Sequence, residues 1–185
     1  MFAMKIFNIH GYQGTAHNAA YMALTKCGYE VVSLQLDYDA YTPKALYSKL
    51  YEEYRQSGCT ALVGTSLGGF FAALICIAEH CPTMFINPCL LPFWTIPKLG
   101  HRYDKAVREF TELFGNLAQI DREIVSTVVG SEDEVVDTHD YTKALLENER
   151  YFVINGGKHS GETLPLEEII YEYGQQIFTG SNKYE

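Results

Sequence analysis

Short apolar runs alternate with segments of helical periodicity along the chain. The apolar runs are rich in branched residues and are bounded by glycine, proline or polar residues, which is typical of buried strands. Six strands are predicted, at Met4–Ile9, Glu30–Leu36, Thr60–Gly64, Thr83–Asn87, Glu123–Val129 and Tyr151–Ile154.

Helices are predicted in the segments between these strands. Thr42 is expected to cap one of them, because Pro43 follows at the first helical position, where a missing N–H costs nothing. The helix that begins near Leu67 is apolar nearly all round and should be the most buried of the fold. Further helices are predicted at about 15–26, at 138–147 and from Pro165 onward.

Strands that alternate with helices predict βαβ units and therefore an α/β protein. We expect one domain over residues 1–185 with three layers. Its core is a mostly parallel, six-stranded sheet in the order 2-1-3-4-5-6, with helices on both faces. Ligands of such sheets bind at the carboxyl ends of the strands, so functional residues should follow strands directly.

The segment between the fourth and fifth strands is longer than a plain crossover needs. It combines prolines and aromatic residues with a helical pattern that includes Tyr103 and Phe110. We interpret it as a small cap-like insertion at about 88–122; the alternative is an ordinary crossover helix with a long entry loop. Phe93 and Trp94 are candidate substrate-binding residues, although simple core packing would explain them equally well.

Composition narrows the class of protein. Of the 185 residues, 47% are hydrophobic and 20% charged, and the formal net charge of −9 argues against a nucleic-acid partner. No stretch offers the ~20 apolar residues that span a membrane, and no secretory signal is recognisable, so we predict a cytoplasmic protein. The five cysteines match no disulfide or zinc spacing, and nucleotide-binding motifs are missing. Neither a cofactor nor a metal is expected.

The strongest chemical signal is the sequence Gly-Thr-Ser-Leu-Gly at 64–68, placed between a strand and a helix. It matches the nucleophile elbow of α/β hydrolases, in which a sharp turn exposes the serine hydroxyl. Gly64 and Gly68 allow the two arms of the turn to pass closely. We therefore predict an α/β-hydrolase fold with Ser66 as the nucleophile and the N–H of Leu67 in the oxyanion hole.

A serine nucleophile needs a histidine base, and the base needs an acid that orients it. In this fold the acid and then the histidine follow the serine along the chain. His159, in a glycine-rich loop after the sixth strand, is the predicted base; His139 is expected to be a surface residue at a helix start. Asp133 is the predicted acid. Glu132 and Asp137 are the main alternatives to it.

The loop after the first strand should supply a second oxyanion donor. Gly11 permits close backbone approach, and the N–H of Tyr12 is the predicted donor. His10 precedes them at the strand end, and we interpret it as a structural residue that holds this loop.

Several segments together resemble the YqiA-like bacterial esterases, which are short α/β hydrolases. The similar segments are Ile9–Tyr12, Val63–Phe70, Ile86–Pro88, Asp133–Asp137 and Gly156–His159. The resemblance spans nearly the whole chain and implies hydrolysis of short acyl esters or thioesters by Ser66, Asp133 and His159. The sequence departs most from the family at 90–121, which would shape the acyl pocket.

The sequence therefore predicts a serine carboxylesterase that acts on small or short-acyl esters through an acyl-enzyme on Ser66. The expected partner is a small-molecule ester, with no nucleic acid or membrane. Two alternatives stay open: a thioesterase or peptidase with the same triad, and a hydrolase-like binding protein without turnover.

Overall fold

The computed structural model describes residues 4–98 and 104–179. In these residues every strand belongs to one sheet. Its strands are β1 (Lys5–Ile9), β2 (Glu30–Ser33), β3 (Ala61–Thr65), β4 (Thr83–Ile86), β5 (Val125–Gly130) and β6 (Tyr151–Ile154). The helices are α1 (Ala19–Lys26), α2 (Pro43–Ser57), α3 (Leu67–Glu79), α4 (Pro92–Lys98), α5 (Asp104–Phe114), α6 (His139–Leu146) and α7 (Leu166–Thr179).

The sheet has the order β2-β1-β3-β4-β5-β6, and every neighbouring pair is parallel. The predicted order and direction are confirmed. Because all strands run the same way, the loops after β1, β3, β4, β5 and β6 leave from one edge, which is where chemistry was expected.

Two apolar cores lie on opposite faces of the sheet, because successive strand residues point to opposite sides. Phe7 and Leu62 belong to the core that also holds α2 and α3, whereas Ile6 and Val63 belong to the core under α1 and α7. The three-layer architecture is therefore confirmed. As predicted, α3 is the most deeply buried helix, with every residue from Leu67 to Cys76 buried.

Local signals placed most helix ends correctly. The Thr42 side chain accepts a hydrogen bond from the Ala45 N–H at 3.3 Å, and Pro43 opens α2. Gly58 closes this helix in the left-handed conformation at φ 71°, where glycine lacks the steric penalty of other residues.

The first helix and the second strand are shorter than predicted. Asn18, rather than a residue near 15, caps α1 by accepting from the Tyr21 N–H at 3.0 Å. The chain leaves β2 after Ser33 because the Leu36 N–H donates to His10 Nε2 at 2.9 Å instead of joining the sheet. The first difference arises from a local cap and the second from a contact between segments 26 residues apart.

The predicted insertion contains α4 and α5. Phe110 of α5 is buried and packs edge-to-face on Phe70 of α3, with ring centroids 5.5 Å apart. Residues 99–103, among them Tyr103 of the predicted helical face, lie outside the described residues. The assignment of 88–122 as a cap remains a prediction.

Two further findings concern the whole described chain. Its helices include none that combines the length and the apolar character needed to cross a membrane. All five cysteines are free thiols, and four of them are buried.

Candidate active site

Ser66 lies in a strained turn between β3 and α3. Its backbone has φ 52° and ψ −124°, a region that non-glycine residues rarely adopt. A Cβ on Gly68 would lie 2.2 Å from the Ile9 carbonyl oxygen, and one on Gly64 would lie 2.6 Å from Ala72 Cβ. Since real Cβ atoms do not approach so closely, both positions require glycine.

The turn places the Ser66 hydroxyl against His159, 93 residues further along the chain. Ser66 Oγ lies 3.0 Å from His159 Nε2, and His159 Nδ1 lies 2.9 and 3.0 Å from the two carboxylate oxygens of Asp133. The structure therefore brings the three predicted residues into one hydrogen-bonded chain. Because a carboxylate only accepts, Nδ1 carries the proton and Nε2 is left to accept one from serine.

The Asp133 side chain is only 1% exposed. Its Oδ1 accepts from the N–H groups of Val135 and Val136, both at 2.9 Å. Burial raises the pKa of this carboxyl, but the hydrogen bonds from His139, His159 and the Val136 N–H outweigh it and hold the pKa well below its ordinary range. Asp133 is thus a carboxylate at neutral pH.

The neighbouring acids occupy other positions. Asp137 pairs with the Lys98 ammonium at 2.6 Å. Glu134 accepts from the backbone N–H of His159 at 3.1 Å and does not contact its ring among the described hydrogen bonds. Glu132 is exposed, and its backbone N–H donates to the Gly157 carbonyl at 2.8 Å. Of the four neighbouring acids at 132–134 and 137, Asp133 is the one that reaches the imidazole.

His139 is not the surface residue that the sequence suggested. It is the first residue of α6, its side chain is 18% exposed, and Nε2 lies 2.8 Å from Asp133 Oδ2. The sequence does place a histidine six residues after the predicted acid, which was the available signal for this contact. The fold of the intervening loop then turns the ring back toward the carboxylate.

Asn87 lies in one of the segments that resemble the family, but nothing in the sequence indicated that it supports the site. This fully buried residue follows β4 and adopts φ 42°. Its Nδ2 donates to the carbonyls of Lys158 and His159 at 2.8 and 3.0 Å, and its Oδ1 accepts from the Gly130 N–H at 2.8 Å. Asn87 therefore joins the loop of the acid to the loop of the base.

The loop after β1 passes directly beside Ser66. A Cβ on Gly11 would lie 2.8 Å from Ser66 Cβ, so the backbone here approaches the hydroxyl as expected. His10 is buried between the Gly11 carbonyl, 2.7 Å from Nδ1, and the Leu36 N–H, 2.9 Å from Nε2, which fits the structural role inferred for it. Burial lowers the pKa of His10.

Leu67 is the first residue of α3, so its N–H is one of those for which a helix has no internal acceptor. Tyr12 lines the cavity beside Ser66 and His159. Its hydroxyl donates to the Asp39 carboxylate at 2.9 and 3.0 Å, which holds the loop on the outside. Leu67 and Tyr12 both line the cavity that contains Ser66, and their role as oxyanion donors stays a prediction.

A cavity of about 450 Å³ opens onto Ser66 and His159. Its other lining residues are Tyr12, Gln13, Leu67, Cys89, Thr95, Ile96 and Val135. The aromatic residues predicted to bind substrate lie elsewhere. Phe93 packs edge-to-face on Phe114, and Trp94 is 55% exposed beneath the Lys98 ammonium. On the short helix α4, the residues that follow them reach the cavity instead.

A second potential nucleophile, Cys89, also lines the cavity. It is buried, and this burial raises the pKa of its thiol to about 12. The thiolate, which is the nucleophilic form, is therefore scarce at neutral pH.

The parallel sheet, the strained serine turn and the loops at the strand ends define an α/β-hydrolase-fold protein. Solved structures share this fold. Est1E from Butyrivibrio proteoclasticus superposes with a TM-score of 0.71 and 18% identity, over 94% of this chain and 88% of its own. The Paleococcus ferrophilus monoacylglycerol lipase gives 0.67 and 13%, with 97% of each chain covered. RhEst1, an esterase from Rhodococcus sp., gives 0.58 and 14%, with 95% and 90% covered.

Within that fold, the chain belongs to the Uncharacterised protein family (UPF0227), whose profile matches residues 6–167. The resemblance to the YqiA-like proteins is thereby confirmed. Among curated proteins none matches the chain. At 13–18% identity, the solved structures establish the fold alone.

Asn87→Ala should destabilise the protein by about 2 kcal/mol, because the buried N–H of Gly130 and the partly buried carbonyls of Lys158 and His159 lose their partner, at about 1–3 kcal/mol for a fully buried group. Urea unfolding measures this loss, and amide exchange of Gly130 should accelerate. Asn87→Gly is the matched variant, since it loses the same hydrogen bonds without the strain of a positive φ. Wild-type stability in the glycine variant would show that these bonds contribute nothing.

Asp133 should also make stability depend on pH. Its folded pKa is lowered from the ordinary value of 3.8, so its contribution is complete above that value and is lost as pH falls toward the folded pKa. The difference in unfolding free energy between wild type and Asp133→Asn should therefore shrink as pH falls from about 5 to about 2.5. Urea titrations at successive pH values measure it, with exposed Glu149→Gln as control. A constant difference would contradict the assignment.

Proposed function

We propose that this protein is a serine hydrolase that cleaves small carboxylic esters through an acyl-enzyme on Ser66. The observation that carries the proposal is the hydrogen-bonded chain from Ser66 Oγ through both nitrogens of His159 to Asp133. A serine hydroxyl is a weak nucleophile near neutral pH, and this arrangement supplies both the base that activates it and the acid that orients the base.

In the first step, Ser66 Oγ attacks the ester carbonyl carbon while His159 Nε2 takes the hydroxyl proton. Asp133 stabilises the imidazolium that forms and remains a carboxylate. The carbonyl oxygen becomes an oxyanion between the N–H groups of Leu67 and Tyr12, where the N-terminus of α3 also favours negative charge. Collapse expels the alcohol, which receives its proton from His159.

The second step releases the acyl group. Water loses a proton to His159 Nε2 as its oxygen attacks the acyl carbon, and the same two N–H groups hold the second oxyanion. Expulsion of Ser66 Oγ, which regains its proton from His159, frees the carboxylic acid. The chain's own groups thus balance every proton transfer without a cofactor or metal.

The size and lining of the cavity support a short acyl group. About 450 Å³ lies near the lower end of small-molecule sites, and Leu67, Ile96 and Val135 make its wall largely apolar. One of the solved structures with this fold is called an esterase and another a monoacylglycerol lipase, which favours the ester bond. We assign to Tyr12 and Ile96, which line this cavity, the role of limiting the length of the acyl chain.

The proposed partner and cellular compartment follow from the charge and composition of the chain. A formal net charge of −9 favours a small ester over a polyphosphate partner, and we propose a cytoplasmic protein with reduced thiols. α4 forms one wall of the cavity and is the part of the 88–122 segment to which we assign the role of a cap.

A fluorophosphonate probe should label the wild-type protein and fail to label Ser66→Ala, because only an activated serine attacks the probe. Ser160→Ala is the matched control, since this exposed serine adjoins His159 and should be dispensable for labelling. Gel detection of the bound probe is the measurement. Labelling that survives Ser66→Ala, or that never occurs, would favour a binding protein without turnover.

Kinetic assays of the same preparations distinguish the possible scissile bonds. The substrates are p-nitrophenyl acetate, butyrate and octanoate, acyl-CoA and aminopeptidase substrates. Hydrolysis of the short esters at the highest kcat/KM is expected. Faster turnover of acyl-CoA or of a peptide would assign the same residues to a thioesterase or a peptidase.

Ile96→Ala should move the preference toward longer acyl chains, because it removes a buried side chain from the cavity wall. The ratio of kcat/KM for octanoate to that for acetate should rise by about 10-fold, as expected from ~1–3 kcal/mol per methylene-sized change in a pocket. Trp94→Ala, on the exposed side of the same helix, should leave the ratio unchanged. An equal change in both variants would place the acyl site elsewhere.

A further inference from the structure

A second histidine contacts the buried carboxylate and lies outside the lining of the cavity at Ser66. His139 Nε2 lies 2.8 Å from Asp133 Oδ2. The helix that carries it is held on the sheet by two fully buried side chains, Thr142 and Leu146, so the ring has a fixed anchor. This contact has no part in the proton transfers described above.

The two oxygens of Asp133 are held differently. Oδ1 accepts two backbone N–H groups, which fix its position within its own loop. For Oδ2, the donors found in the described part of the chain are the imidazoles of His139 and His159. The plane of the carboxylate, and hence the direction in which it meets His159, therefore depends on His139.

We infer that His139 is a positioning residue that donates its Nε2 proton to Asp133 and so fixes the tautomer and orientation of His159. The inference rests on the proposed function and assigns that site a His–Asp–His arrangement in place of a simple triad. His139 acts through Asp133 and does not touch the reacting atoms.

The surroundings of the ring define which nitrogen carries its proton. His139 Nδ1 is buried, and no described group forms a hydrogen bond with it. A buried N–H without an acceptor is costly, and Nε2 faces an oxygen that can only accept. The neutral imidazole with its proton on Nε2 satisfies both conditions.

His139 faces a cavity different from that of the substrate. A space of about 380 Å³ adjoins Asp133 and His139 and shares no lining residue with the cavity at Ser66. The other titratable groups that line it are Asp137, Asp140, Lys143 and Tyr151, and Lys98 pairs with Asp137 from outside. Changes at His139 should therefore affect the chemical step and leave substrate binding intact.

Two non-donating variants test the inference. His139→Leu removes the donor, and His139→Asn carries an amide too short to reach Oδ2. His139→Gln places an amide nitrogen near the position of Nε2 and should restore the hydrogen bond. His80→Leu is the matched control, because that exposed histidine pairs with Asp121 at the end of α3 remote from Ser66.

Two readouts distinguish positioning from mere structural support. The ¹⁵N shifts of His159 report its tautomer without any substrate, and we expect a single Nδ1–H form in wild type and His139→Gln but a mixture in the Leu and Asn variants. With p-nitrophenyl acetate, kcat should fall at least about 10-fold in those two variants at unchanged KM, and His139→Gln should recover most of it. In a serine protease whose orienting acid no longer sets the tautomer of the histidine, kcat falls about 10⁴-fold. This value is the upper limit of the effect expected here.

Each outcome bears on one of the two proposals. Unchanged ¹⁵N shifts and kcat in the Leu and Asn variants would overturn the role of His139 while leaving the hydrolase intact. Equal losses in all three His139 variants, together with lowered melting temperatures, would also overturn it in favour of a structural role. A tautomer mixture in a protein that neither reacts with fluorophosphonate nor hydrolyses any ester would support the positioning role and reject the proposed function.

Discussion

The buried charge of Asp133 is the constraint on which the rest of the site depends. A carboxylate with 1% exposure is stable only where hydrogen bonds replace the water it has lost. Its donors come from its own loop, from the loop after β6 and from the start of α6. Three segments that are separate in the sequence therefore form hydrogen bonds with the same carboxylate.

Backbone contacts give these segments their fixed spacing. A Cβ on Gly130 would lie 2.3 Å from the Gly157 carbonyl oxygen, so the loops of the acid and the base pass each other without side chains between them. Asn87 then joins both loops to the end of β4 through its side-chain hydrogen bonds. Because parallel strands β3 to β6 are consecutive in the sheet, the serine, this asparagine, the acid and the base follow one another along a single edge.

The strained backbone conformation of Ser66 is maintained by close packing around it. A positive φ in a non-glycine residue persists only where surrounding contacts require it. Here Gly68 lies against the carbonyl of Ile9, and the Ser66 carbonyl accepts hydrogen bonds from the N–H groups of Gly69 and Cys89. The hydroxyl is therefore presented by a rigid support, which is the property that the proposed chemistry needs.

The sequence by itself predicted the six strands from hydrophobic period and turn residues, which are local signals. It predicted the strand order, Ser66, Asp133 and His159 because the Gly-Thr-Ser-Leu-Gly turn matches a fold whose topology and order of functional residues are known. It could not determine what lies beside each residue after folding. The ring of His139, the bridging amide of Asn87 and the choice of Thr95 and Ile96 over Phe93 and Trp94 in the cavity wall were decided by tertiary structure. The amide of Asn87 is fixed by contacts with loops 43 to 72 residues further along the chain, and the ring of His139 by the fold of the loop that separates it from Asp133. No hydrophobic period or turn motif records such contacts.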